Sequence, residues 1–215
     1  IEFSFERRAQ PRLIFLSGFE PQDHFRPRVP RMPPPASIRY CPDEPFPAYS
    51  YVPGLFPHPI SDAAGHSFGH EVVVTDFSLA EWDQCRPYLF GLDLFNHGYY
   101  WEAHEYWEAV WLAVGRTGLV ADLLKGLIKL AAAGVKIREQ KPNGIRRHAA
   151  RAQQLFCTVR SEQESLLGLC LADLGEFAKR IESAADSLTA ECDGSVTPLF
   201  DRRLVADVSS QSTPR

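Results

Sequence analysis

Residues Tyr99–Trp111 read YYWEAHEYWEAVW. Three of the chain's four tryptophans fall here, interleaved with Glu102, His104, Glu105 and Glu108. At about 100° per residue, Trp101, His104, Glu105, Glu108 and Leu112 share one helical face. Ala103, Trp107, Val110 and Val114 cover most of the other side, leaving solvent only a narrow strip near Glu102, Tyr106 and Ala113. A helix that is apolar nearly all round is a central one. Carboxylates buried in it must be paired, protonated or bound to metal. On this reading His104 is buried, and removing it by His104→Ala should cost about 1–3 kcal/mol in unsatisfied partners.

Working outward, the sequence SLAE at Ser78–Glu81 has the spacing of a capping box and predicts a helix start. Pro87 kinks or restarts that helix, which runs to about His97 with Gly98 as its stop. The quoted stretch forms the second helix, ending near Gly115. A third spans about Leu119–Gln140 and is stopped by KPNG. A fourth covers about Ile145–Arg160 and a fifth about Gln163–Ser187. The short connections favour antiparallel neighbours, hence an all-α fold, a compact bundle of about five helices.

The flanks differ in character. From Met32 to Gly69 prolines and glycines recur, so YVPGLFPHPISDAAGHSFGH is neither helix nor central strand. We read residues 32–75 as an extended proline-rich arm, residues 76–187 as the helical domain and residues 188–215 as a loose tail. EVVVTDF at Glu71–Phe77 is the single strand-like run, and one strand makes no sheet. The arm carries Tyr51, Val52, Leu55 and Phe56 without a core of its own. It is therefore expected to pack near the N-terminal end of the second helix, bringing His58 or His66 close to His104 or Glu105. The chain begins with Ile1, and its single methionine is Met32. Either the sequence is a fragment, or residues 1–31 precede the true start; the segment FRPRVPRMPPP is hard to fold into any core.

Charge and cysteines limit the function classes. A net charge of −4 exerts no global pull toward nucleic acid or anionic membrane, and no apolar run reaches the ~20 residues of a membrane span. The five cysteines are scattered and odd in number, as expected of reduced thiols in a cytoplasmic protein. Charge is also segregated. Asp76–Glu108 holds seven acidic residues and one basic, whereas Lys125–Arg151 holds eight basic residues and one acidic.

The segments LFNHGYYWEAHEYWEAVW and LLKGLIKLAAAGVKIREQKPNG resemble the domain of unknown function 309 family. The matching residues are Phe95, Asn96, Gly98, Tyr100, Glu102, Ala103, His104, Glu105, Glu108 and Trp111, then Gly126, Leu127, Ile128, Ala131, Ala132 and Gly144. The match covers roughly Arg86–Phe156, and the arm resembles an extension found in longer members. The resemblance implies a small all-helical domain enclosing the histidine–glutamate motif, and no established activity. Family members often carry glutamines flanking the Gly-Leu-Ile step, where this chain has Lys125 and Lys129. If those positions face the motif, the lysines turn it into an ion-pair network with Glu105 or Glu108. Otherwise they form a solvated face.

Two readings of the motif follow. In the first, His104 and the glutamates form a buried polar network, and the chain is a binding or scaffold module. Trp101, His104, Glu105, Glu108, Trp111, Lys125 and Lys129 are then the candidate ligand-binding residues, and the partner is a protein or a small acidic ligand. In the alternative, a divalent metal is held by His104 and Glu108, as by the two histidines of HExxH helices, with a third ligand from His58, His66 or His70 of the arm. Glu105 then stands where that motif keeps its general base, which makes Glu105 and His104 the catalytic candidates of a hydrolase-like site. Nothing in the residues establishes a cofactor, and no phosphate-binding loop, nucleophile elbow or dinucleotide fingerprint is present.

Overall fold

The computed structural model describes residues 39–188 and 195–208. All of these lie in the second of the chain's two units, Ile38–Arg215. The expectations for residues 1–31 and for a start at Met32 fall outside the described residues.

The fold is a helical bundle. A 3-10 helix, Leu79–Gln84, leads into α1, Arg86–Asn96, and α2, Tyr100–Ala113. Then come α3, Leu119–Arg138, and α4, Pro142–Arg160. A two-strand hairpin of β1, Ser165–Leu166, and β2, Leu169–Cys170, precedes α5, Leu171–Ser183. Each helix packs on its successor in the chain, so α2 and α3 lie in the middle of the series. Proline at the first turn restarts the chain as α1 after the break at Cys85, since its missing N–H is an orphan donor at that position anyway. Ser78 does occupy the position before the 3-10 helix, but its side chain makes no capping bond, so the expected capping box is not formed.

Close approach between helices depends on small residues at the contacts. A Cβ on Gly134 of α3 would lie 2.5 Å from the Tyr100 ring, and one on Gly126 would lie 2.4 Å from the Phe156 ring. Glycine lets those aromatics seat against the α3 backbone itself. The centre is aromatic. Phe95 meets Tyr100 and Phe177 edge-on and stacks on Phe200 at 5.5 Å, while the fully buried Trp107 donates its indole N–H to the Tyr88 carbonyl.

Two expectations fail toward the C-terminus. The fifth helix does not run from Gln163; it begins at Leu171, after the hairpin. Leu167 and Gly168 both have positive φ, 47° and 73°, as a two-residue hairpin turn of type I′ requires. The Tyr88 hydroxyl donates to the Leu167 carbonyl and fixes the hairpin on α1. Nor are residues 195–208 a loose tail. Asn96 receives the Leu204 N–H and donates to the Leu204 carbonyl, both at 2.8 Å, and the Leu199 N–H donates to the Tyr100 hydroxyl. Leu204 and Ala206 are buried. The segment supplies apolar surface that the five helices leave uncovered over Phe95 and Tyr100.

Candidate functional site

The arm is fastened by two carboxylates of the bundle. Asp93 of α1 is fully buried and accepts the N–H groups of Tyr40 and Cys41 at 3.0 and 2.8 Å, with the Arg39 Nε 3.6 Å away. One helix on, Glu102 accepts the Tyr51 N–H at 2.7 Å and the Ser50 hydroxyl at 3.3 Å. Its Oε1 also lies 3.2 Å from His66 Nε2. Glu102 was expected on the solvent strip, yet its side chain is only 3% exposed. The helical period defines faces correctly but cannot say which face the arm will cover.

The arm does dock at the N-terminal end of α2, as its apolar content demanded. Val52 is buried, and Tyr51 and His58 both meet the Trp101 ring edge-on, at 5.2 and 5.4 Å. Leu55, expected to pack, is 55% exposed. His66 therefore contacts Glu102 and His58 contacts Trp101, neither of them His104, while His66 lines the same groove as Glu105.

The face expected to be buried is half open. The side chains of His104, Glu105 and Glu108 are 29%, 28% and 45% exposed. His104 Nδ1 lies 3.1 Å from Glu105 Oε1 and 3.9 Å from Glu108 Oε2. Among the described residues these three form the group able to share an ion, with one ligand atom from each lying within 4.8 Å of the others. The expected contribution of His58 or His66 to that set is not there: each is committed elsewhere.

The lysines of α3 do not reach this group. Lys125 Nζ sits 5.9 Å from the Trp111 ring centroid, with the Arg116 guanidinium at 5.7 Å. Lys129 instead acts on His148 of α4. Burial first, then the charges of Lys129, Arg147, Lys136 and His104, push the His148 imidazole down to about 4. The network of Lys125 or Lys129 with Glu105 and Glu108 is thus absent among the described residues, and Trp111 and Trp101 lie in different surroundings.

Between the arm and α2 runs a groove of about 770 Å³. Its helix wall is Trp101, Glu102, Glu105, Tyr106, Glu108 and Leu112. The arm side includes Glu44, Phe46, Ile60, His66, His70 and Glu71, and Phe90 of α1 also lines the groove. Sequence reasoning singled out Trp101, Glu105, Glu108, His66 and His70 of this lining, and missed Glu44, Glu71, Phe90 and Tyr106. The acidic excess between Asp76 and Glu108 announced the charge of the helix wall, but no spacing in the sequence sets Glu44 and Glu71 of the arm opposite it.

Comparison with known proteins places the helical part. Residues 88–148 match the model of a family described as Domain of unknown function (DUF309). The resemblance read from the motif therefore holds for the stretch from α1 into α4, which supplies the helix wall of the groove but not the arm. No curated protein matches the chain. No described helix is long and apolar enough to cross a membrane.

Proposed function

We propose that this chain is a binding module whose recognition surface is the groove between the arm and α2. The observation that carries the reading is the groove itself. Its volume falls within the range of about 300–1,000 Å³ typical of ligand sites, and it combines aromatic walls with a few ionisable groups. Its buried His/Glu pair, His66 with Glu102, serves to hold the walls together rather than to react, because Glu102 is already saturated by Tyr51, Ser50 and His66. A fragment library of neutral, acidic and basic aromatic compounds, followed by amide and indole NMR shifts, tests this. Hits should converge on Trp101, Tyr106, Leu112 and residues 66–72. Hits scattered over the surface, or none, would remove the reading.

A second reading has a specific observation behind it: the convergence of His104, Glu105 and Glu108. One imidazole nitrogen and two carboxylates suit a divalent ion, and their partial exposure leaves room for water or substrate. The ion would supply Lewis-acid activation of that water, as hydrolases require. Glu105 serves here as a ligand atom, so the general-base role given to it by the HExxE pattern needs another holder. Zinc titration by calorimetry discriminates: stoichiometric binding abolished by His104→Ala supports the metal reading, and its absence in the intact protein ends it.

A further inference from the structure

Among the described residues, four of the groove's five glutamates have no lysine or arginine partner. Glu44 accepts from Arg86 at 2.8 Å. Among the described residues no lysine or arginine forms an ion pair with Glu71, Glu102, Glu105 or Glu108, and none lines the groove. The chargeable groups nearest to the three helix-wall glutamates are His66 and His104. Like charges gathered on a concave surface with apolar walls reinforce one another and focus the field into the cleft. Such an arrangement opposes folding unless something else is gained. It repels an anion and attracts a cation.

The placement of the charges narrows the class of ligand. Glu71 stands on the arm wall, Glu105 and Glu108 on the helix wall, and apolar surface from Phe90, Tyr106 and Leu112 lies among them. A compact ion would fill only a small part of 770 Å³. A ligand that presents several cations separated by apolar groups fits both the charges and the surface between them. Guanidinium is the best match, because it pairs with carboxylates through two parallel bonds and also stacks on aromatic faces. The protein uses both modes at the rim of this groove. The Arg39 guanidinium lies 4.0 Å over the Phe46 ring, and Arg86 bridges Asp43 and Glu44.

Building on the groove as the recognition surface, we infer that its ligand is an extended peptide segment of another protein, bearing two or more arginines spaced by apolar residues. The test is titration of the full chain, in chelator, with an end-blocked hexapeptide alternating arginine and leucine. Its isosteric citrulline counterpart, its glutamate counterpart and spermine are titrated in parallel, with the Trp101 indole NMR signal and calorimetry as readouts. The arginine peptide should bind saturably and shift Trp101, and the citrulline peptide should bind about tenfold more weakly. Rising salt should weaken the arginine peptide. The double variant Glu71→Gln/Glu108→Gln, whose side chains lie at the surface, should melt as the parent does and lose about fivefold in affinity. If the citrulline or glutamate peptide shifts Trp101 with equal affinity, the inference about charge is overturned while the groove remains a recognition surface. Spermine binding as tightly as the arginine peptide overturns the choice of a peptide. If no probe moves Trp101, both the inference and the reading beneath it fall.

Discussion

His66 Nε2 lies 3.2 Å from Glu102 Oε1, joining a histidine of the proline-rich arm to a carboxylate near the start of α2, with both side chains less than a tenth exposed. The same carboxylate receives the Tyr51 N–H and the Ser50 hydroxyl, so a single side chain gathers two separate turns of the arm. The groove has its width because this clasp fixes one wall against the other.

Glu102→Ala should therefore loosen the arm as well as lower stability. It leaves the Tyr51 N–H without its acceptor and the His66 ring without its carboxylate, while the Ser50 hydroxyl keeps the Gly98 carbonyl at 3.1 Å, for a cost of about 1–3 kcal/mol. Denaturant midpoints measure the loss, and limited proteolysis within residues 52–70 locates it. An unchanged midpoint with unchanged cleavage would show that the arm is held by other contacts.

His104→Ala should cost under about 1 kcal/mol, less than burial of the side chain would have implied. His104 is 29% exposed, and its close partner is the adjacent Glu105. Partly exposed side-chain pairs of this kind contribute little. A drop in stability as large as that of Glu102→Ala would show that His104 supports the core.

The helices and the grouping of His104, Glu105 and Glu108 were legible because both depend on local spacing. Residues 104, 105 and 108 share a face in any α-helix, whatever surrounds it. The burial of Glu102 was not legible, because it depends on Ser50 and His66 arriving from 52 and 36 positions earlier. The hairpin at Ser165–Cys170 was read as helix for a related reason. Leu166, Leu167, Leu171 and Leu174 satisfy helical spacing, and nothing in a Leu-Gly pair announces a positive φ at the leucine. Docking of Phe200 and Leu204 carries no period at all: it answers a gap over Phe95 that exists only once the helices have packed.

Gly134→Ala should destabilise the bundle by about 1–3 kcal/mol, through overpacking at the seam between α2 and α3. The added carbon would meet the buried Tyr100 ring at 2.5 Å, and that ring is also held by the Leu199 N–H. Higher helix propensity of alanine works in the opposite sense but is the smaller effect, at about 1 kcal/mol. A variant that melts at or above the parent temperature would show that Tyr100 can shift without loss.

Ending the chain after Val196 should lower stability by about 3 kcal/mol or more, since it uncovers Phe95 and Tyr100 and removes the buried Leu204. If the shortened chain fails to fold, Asn96→Ala isolates the contact: it strips Leu204 of both its backbone bonds and should cost about 1–3 kcal/mol. Unaltered melting of both variants would return the segment to the status of a tail.

His148 should give the protein an acid-sensitive component of stability. Burial, followed by the positive charges of Lys129, Arg147, Lys136 and His104, pushes its folded pKa down to about 4 from an ordinary 6.5. The unfolded chain thus takes up a proton at His148 below about pH 6.5, whereas the folded chain takes one up only near pH 4. Between these values the unfolded state binds more protons, so stability rises with pH across this window. The contribution is complete above pH 6.5 and is lost progressively as the pH falls toward 4. Because the imidazole is only half buried, solvent screening keeps the loss to about 1–2 kcal/mol. Urea midpoints of the parent and of His148→Gln, measured at pH 7 and pH 5, isolate the effect. The parent should lose more stability than the variant over that interval, and equal losses would show that His148 titrates alike in the folded and unfolded chains.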